Sequence, residues 1–233
     1  MSIKMTTDMT SNITTLRIDF VSDIACPWCI VGLKSLELAL AKLAPTVTAD
    51  IDFQPFELNP NMPAAGQDIT EHTTQKYGIS VAQANANREN IRKRGAELGF
   101  TFTRADDAGG GRNWVYNTFD AHRLLYWAHS VGKAEQKALK HAMFTALFTD
   151  GKNLSDHATL AALCGTVGLD STRAAAILAG KEYTAEVRAE QRQWLEAGIN
   201  SVPAVVINQQ HLISGGQSPE AFEQALRQIA AAG

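Results

Sequence analysis

The stretch Leu16-Arg17-Ile18-Asp19-Phe20-Val21-Ser22-Asp23-Ile24-Ala25-Cys26-Pro27-Trp28-Cys29-Ile30-Val31-Gly32 decides how the chain is read. Leu16 to Ser22 alternates apolar and polar residues, as a half-buried strand does. Beyond the cysteines, Leu33, Leu36, Leu40 and Leu43 recur at helical spacing, with Pro45 closing the segment. A second strand is expected over Ile51 to Phe56, so the stretch opens a parallel strand–helix–strand unit. A cysteine at the point where a strand gives way to a helix meets unpaired backbone N–H groups and the positive end of the helix dipole, and both favour an anion. Cys26 is therefore expected to be the exposed thiolate nucleophile. Cys29, one turn into the helix, is expected to be the buried resolving thiol. Pro27 sets the first helical turn, Trp28 supplies an apolar rim, and the two together tune the redox poise.

Three cysteines in 233 residues make no disulfide scaffold. Structural zinc needs four ligands, and the chain has neither a second C-x-x-C nor a closely spaced histidine pair. The pair is therefore read as redox-active and no metal is expected. Cys164 lies on an apolar helical stripe and reads as a small buried hydrophobe. A net charge of −3 leaves no basic footprint for nucleic acid, and no apolar run approaches the ~20 residues of a membrane helix. Met1 to Thr15 is polar and threonine-rich, without the apolar core of a secretory signal, so a cytoplasmic protein is expected.

At the other end, Ala204 to Ile207 is a β-branched run, Asn208-Gln209-Gln210 a turn candidate, and His211 to Ser214 a short return strand. Ser218-Pro219-Glu220 opens a helix whose apolar face is Phe222, Ala225, Leu226 and Ile229. Strand signals are scarce between these halves. Ser155 is the candidate cap of a helix with Leu160, Leu163, Cys164 and Val167 on one face, and Asp170 or Ser171 caps the next. Leu139, Met143, Ala146 and Leu147 stripe another, and a further helix over 183–197 ends at Gly198. The expected architecture is a split α/β domain, residues 16–61 and 183–233, interrupted by an all-helical domain, residues 62–182.

Ser22 to Cys29, followed by Ile30-Val31-Gly32, resembles the DsbA-like thioredoxin domain of the FrnE type. Gln54-Pro55-Phe56-Glu57-Leu58-Asn59-Pro60, Asn117 to Leu124, Ser201-Val202-Pro203-Ala204 and Ile213 to Pro219 resemble it as well, so the likeness runs through nearly the whole chain from residue 16. It implies a thioredoxin fold carrying the helical insertion. It also implies a cis Pro203 beside the dithiol, with the backbone of Val202 left free to pair with an extended substrate. Relatives of this fold often carry a buried acid six residues before the first cysteine, serving proton transfer at the buried thiol. Phe20 stands there in this chain, which leaves Asp23, Glu57 or water as candidates for that role.

His122 reads first as a satisfied core histidine, and as a secondary cleft candidate because of the resemblance. Asn59 and Pro60 read as a turn at the edge of the same cleft. Gly109-Gly110-Gly111 lacks a following Lys-Ser/Thr pair and reads as a loop, not a phosphate cradle. Gly215-Gly216-Gln217 precedes a capped helix, where a carboxylate can bind, and in glutathione-using relatives this region contacts the glutamyl end. The expected activity is thiol–disulfide exchange on a protein or small-molecule substrate, with a separate reductant or oxidant as partner. No tightly bound cofactor is expected beyond the Cys26–Cys29 disulfide itself, and glutathione is the candidate co-substrate. Two alternatives stand beside it: a glutathione-dependent isomerase or transferase related to 2-hydroxychromene-2-carboxylate isomerase, and a non-enzymatic holdase-like binding module. The sequence assigns no oligomeric state.

Overall fold

Strand β1 (Thr14–Ser22) lies inside a four-stranded sheet in the computed structural model, which describes residues 13–63, 65–103 and 114–232. β1 leads through Asp23 and Cys26 into α1 (Pro27–Leu43), and β2 (Val47–Pro55) returns parallel to β1. β5 (Ala204–Ile207) runs antiparallel along the other edge of β1, and β6 (His211–Ser214) is antiparallel to β5, giving the order β2-β1-β5-β6. The β5–β6 turn places Asn208 and Gln209 at φ values of 52° and 58°, the left-handed pair that matches hairpin twist. α9 (Pro219–Ala232) follows, with Ser218 Oγ accepting from the backbone N–H of Ala221, and packs on α1.

The period-2 alternation of β1 divides the interior in two. Leu16, Ile18 and Phe20 face the main core with Leu33, Leu36, Phe222 and Leu226, whereas Val21 joins Phe56, Ile199 and Ala204 in a smaller cluster. Phe20 meets Phe53 of β2 edge-on, with ring centroids 5.8 Å apart.

The intervening segment carries the antiparallel two-residue pair β3 (Gln67–Asp68) and β4 (Trp114–Val115), with α2 (Ile69–Tyr77) and α3 (Val81–Glu97) between them. α4 (Phe119–Val131), α5 (Lys133–Phe148), α6 (His157–Thr166), α7 (Ser171–Ala179) and α8 (Thr184–Glu196) follow. Asp156, not Ser155, caps α6: its carboxylate accepts from Thr159 N–H, while the Ser155 hydroxyl is bonded to Asn153. Asp170 caps α7. Buried Arg123 on α4 donates to the carbonyls of Ile177, Gly180 and Glu182, satisfying the chain where α7 ends. The glycine run 109–111 lies outside the described residues.

Glu37 ties α1 to α5, with its carboxylate 2.9 Å from Lys137 and 2.8 Å from His141. Partial burial opposes its ionisation, yet the contacts with His141 and Lys137 hold its pKa down at about 2. A carboxyl depressed in the folded state stabilises fully above its unfolded pKa, and that stability is lost as pH falls through the folded value. Glu37→Gln is accordingly expected to cost roughly 1–3 kcal/mol at pH 7. The gap should close between about pH 4.5 and 2, as urea unfolding at several pH values would show.

Candidate active site

Cys26 is the N-cap of α1, with extended backbone (φ −92°, ψ 111°), and Pro27 begins the helix. The Cys26 N–H donates to the Asp23 carbonyl at 3.2 Å and its own carbonyl accepts from Cys29 N–H at 3.0 Å, so both thiols are held on the first turn. Both cysteines are in the dithiol form. Cys29 is 0% exposed and Cys26 only 4%, so the outer thiol is recessed rather than openly exposed. Burial, reinforced by the adjacent Cys26, pushes the Cys29 thiol well above its ordinary range.

The second wall comes from the far end of the sequence. The Val202–Pro203 peptide bond is cis, and the Cys26 thiol donates to the Val202 carbonyl at 3.6 Å. Two glycines allow this approach. A Cβ on Gly32 would stand 3.0 Å from Pro203 Cγ, and one on Gly216 would stand 3.1 Å from both the carbonyl oxygen and the ring of Trp28. Gly216 thus has a packing reason beside the one the sequence offered. Gly215, at φ +81°, turns the chain, and exposed Gln217 donates its amide to the Ser214 carbonyl.

Asp23 is fully hydrogen-bonded beneath this turn. It accepts from the N–H groups of Ala25 and Leu58 and from the Thr118 hydroxyl, at 3.1, 2.7 and 2.8 Å. His122 is 2% exposed and places Nε2 3.6 Å from Asp23 Oδ1, an ion-pair distance too long for a hydrogen bond. Burial opposes ionisation of Asp23, but His122 and the two backbone donors hold its carboxyl below the usual range. Glu57 is bonded to Arg188 and Gln191 of α8, and the Arg188 guanidinium stacks 3.8 Å over the Phe119 ring. Both bonds to Glu57 fall on Oε2, and its buried Oε1 has no hydrogen-bond partner among the described residues. Asn59 is half-buried, its side-chain oxygen taken by Lys76 at 2.7 Å, and Pro60 is exposed.

Three neighbours escaped the sequence reading. Lys76 and Tyr77, at the end of α2, lie within electrostatic reach of Cys26, and Tyr77 is exposed. Lys140 of α5 is fully buried and lies within electrostatic reach of both thiols. It and Gln136, one turn before it, sit beside the apolar stripe of α5 and look polar in sequence, although both are buried. Among the described residues no group of three histidine, cysteine, aspartate or glutamate side chains could hold a metal, and no helix is long and apolar enough to cross a membrane.

Residues 17–227 match the family model of the DSBA-like thioredoxin domain. The chain belongs to that family. A probable DsbA oxidoreductase of Streptomyces coelicolor is 34% identical, with a TM-score of 0.82 over 93% of this chain and 90% of that one. The cytosolic disulfide reductase DsbM of Pseudomonas aeruginosa, also solved with GSH, shares the fold at 14% identity, with a TM-score of 0.64 over 93% of this chain and 100% of its own. A 2-hydroxychromene-2-carboxylate isomerase does so at 15% identity and a TM-score of 0.67, covering 93% and 97%. As a DsbA-like thioredoxin-fold protein with a helical insertion, the chain has the framework of a thiol–disulfide oxidoreductase or isomerase.

Proposed function

We propose that the chain is a thiol–disulfide oxidoreductase in which Cys26 is the nucleophile and Cys29 the resolving thiol. The observation that carries this reading is the approach of Cys26 Sγ to the Val202 carbonyl, with Cys29 sealed one helical turn behind it. A substrate strand lying along the loop before Pro203 would pair with the Val202 backbone and present its sulfur to Cys26. In the reducing direction, the Cys26 thiolate attacks a substrate disulfide and expels one substrate thiolate. Cys29 then displaces the second and closes the Cys26–Cys29 disulfide, so two electrons pass to the substrate. The reverse sequence oxidises a substrate dithiol. Pro27 and Trp28 set the potential from within the first turn.

Glutathione is the small thiol we assign as co-substrate, on the precedent of the structural neighbour solved with GSH and on the Gly215–Gly216 turn that precedes α9. We place the reaction in the reducing cytoplasm, in keeping with three cysteines and no disulfide framework. The isomerase-like alternative activates glutathione without needing a second thiol, and the sealed Cys29 favours the dithiol reading over it.

Equilibration with glutathione buffers, read by mass spectrometry or Trp28 fluorescence, tests the assignment. A single two-electron couple is expected. A potential near about −270 mV marks a reductant and one near about −120 mV an oxidant. Failure of Cys26 and Cys29 to oxidise together at any poise would overturn the reading.

A further inference from the structure

Lys140 is 1% exposed, and among the described residues no hydrogen-bond acceptor or carboxylate pairs with its ammonium. Two rings flank it instead, with centroids 5.3 Å (Phe144) and 6.0 Å (Phe53) from the nitrogen. Asp23 acts on it only at a distance, its carboxylate being taken by Ala25, Leu58 and Thr118. A buried charge without a partner is costly unless something polar reaches it. Among the described residues, the buried side-chain atoms shut off from both partner and solvent are Ser35 Oγ, Glu57 Oε1, Arg88 Nη1 and His122 Nε2. The Lys140 ammonium is not one of them, so it keeps open surface. That surface belongs to a cavity of about 280 Å³ at the edge of β2, which Lys140 lines.

The cavity is graded by depth. Lys140, His122, Gln136, Phe53 and Leu125 in its lining are buried, whereas Arg17, His129 and Ser130 are exposed and form its rim. The other charges around it are already answered. At the rim, Asp52 pairs with His129 at 2.9 Å and Lys133 at 2.8 Å, and Arg17 lies 3.9 Å from Asp19. Burial pushes the Glu190 carboxyl up, which reduces its negative charge. Deep inside, Gln136 spends its amide on the Phe53 backbone, accepting from the N–H at 3.2 Å and donating to the carbonyl at 3.0 Å. What the floor leaves unmatched is one positive charge beside apolar walls.

One ammonium suits a monoanion. A phosphate dianion would lose its water there without the several donors that usually replace it. Size is the second constraint: a cavity of about 150 Å³ lined by Leu, Ile and Phe is already enough for benzene. We propose that the cavity at the β2 edge binds a small monocarboxylate with an apolar body, its carboxylate on the Lys140 ammonium and its body against Phe53 and Leu125. Burial pulls Lys140 down to about 8, so at pH 7 it is charged, and a bound carboxylate offsets the cost of keeping it so. The walls come from β2 and from α4 and α5 of the intervening segment, so the ligand would bridge the sheet and the helical insertion. Cys26, Cys29, Val202 and Pro203 take no part in the lining, which separates this site from the dithiol.

Benzoate and benzamide share a shape and differ in charge, which makes them the probes. Each is titrated into the full chain at pH 7 and followed by the NMR shifts of the Leu125 methyl groups. Benzoate is expected to saturate with a dissociation constant of about 1 mM or tighter, as a ligand of its size can. Benzamide should bind at least about 10-fold more weakly, the worth of one charge-assisted hydrogen bond. In Lys140→Met, benzoate should weaken by about the same factor while benzamide changes less than about threefold. No saturation within the solubility of benzoate, equal affinity for the two probes, or undiminished benzoate binding to Lys140→Met would each overturn the proposal. Inorganic phosphate that displaces benzoate at comparable concentration would overturn it as well. Should Lys140→Met fail to fold, the comparison of the two probes in the native chain decides alone. The titration reads binding and not exchange, so its outcome is independent of the redox reading.

Discussion

Cys26→Ser is expected to lose disulfide exchange by at least about 10³-fold, because a hydroxyl is not appreciably ionised at neutral pH and a thiolate is the attacking species. Cys29→Ser separates the two halves of the reaction. Its Cys26 can still attack, but nothing behind it can displace the substrate, so the mixed disulfide accumulates and is visible as an intact mass increase. The same pair of variants discriminates against the isomerase-like alternative. Glutathione-dependent turnover that survives Cys26→Ser, or that is indifferent to Cys29→Ser, would replace the dithiol mechanism with glutathione activation. Wild-type rates in Cys26→Ser with a protein disulfide as substrate would remove the mechanism altogether.

Lys140→Met is expected to be more stable than the native protein at pH 7, by roughly 2–3 kcal/mol. Burial lowers the lysine from 10.5 to about 8, so the folded state disfavours its charged form. Between those two values the unfolded chain binds more protons than the folded one, and native stability therefore rises with pH across that window. Below about 8 the ammonium is charged in both states and its full desolvation cost is present. Methionine keeps an unbranched stem against Phe53 and Phe144 while removing the charge, a replacement of the kind that often stabilises. Urea unfolding at pH 7 and pH 10 measures both quantities: the variant's advantage should be large at the first and small at the second. A variant less stable than native at pH 7 would show that the ammonium is better solvated than its burial indicates.

The parts of the molecule legible from sequence are those where a local pattern and a local structure coincide. The alternation of Leu16 to Ser22, the helical spacing after Cys26 and the β-branched run at Ala204 each became the expected element, because each buries one face of a regular backbone. The two-residue pair β3–β4 gives no period to read. Ser155 and Asp156 are both good caps, and only the competing bond from Ser155 to Asn153 decides between them. The dithiol was legible because its spacing is its chemistry. Of its surroundings, Asp23 and His122 were legible as candidates, but Lys76, Tyr77 and Lys140 were not, since they come from other segments and approach the dithiol only through tertiary packing. A lysine two turns into an amphipathic helix looks like a solvated face, and here the insertion turns that face onto the sheet.

The bond between the Cys26 thiol and the Val202 carbonyl joins residues 176 positions apart. On the ribosome, at about 5–20 residues per second, the nascent chain waits roughly 9–35 s between making its nucleophile and making the loop that faces it. During that interval β1, α1 and β2 can assemble, but the edge of β1 that receives β5 is bare and the Cys26 thiol lacks its ceiling. A stalled or truncated chain would therefore carry a reactive thiol with no means of choosing what it attacks. On the proposed function, selectivity is a property that the chain acquires only with its last strands, so quality control of the C-terminal segment is also control of its chemistry.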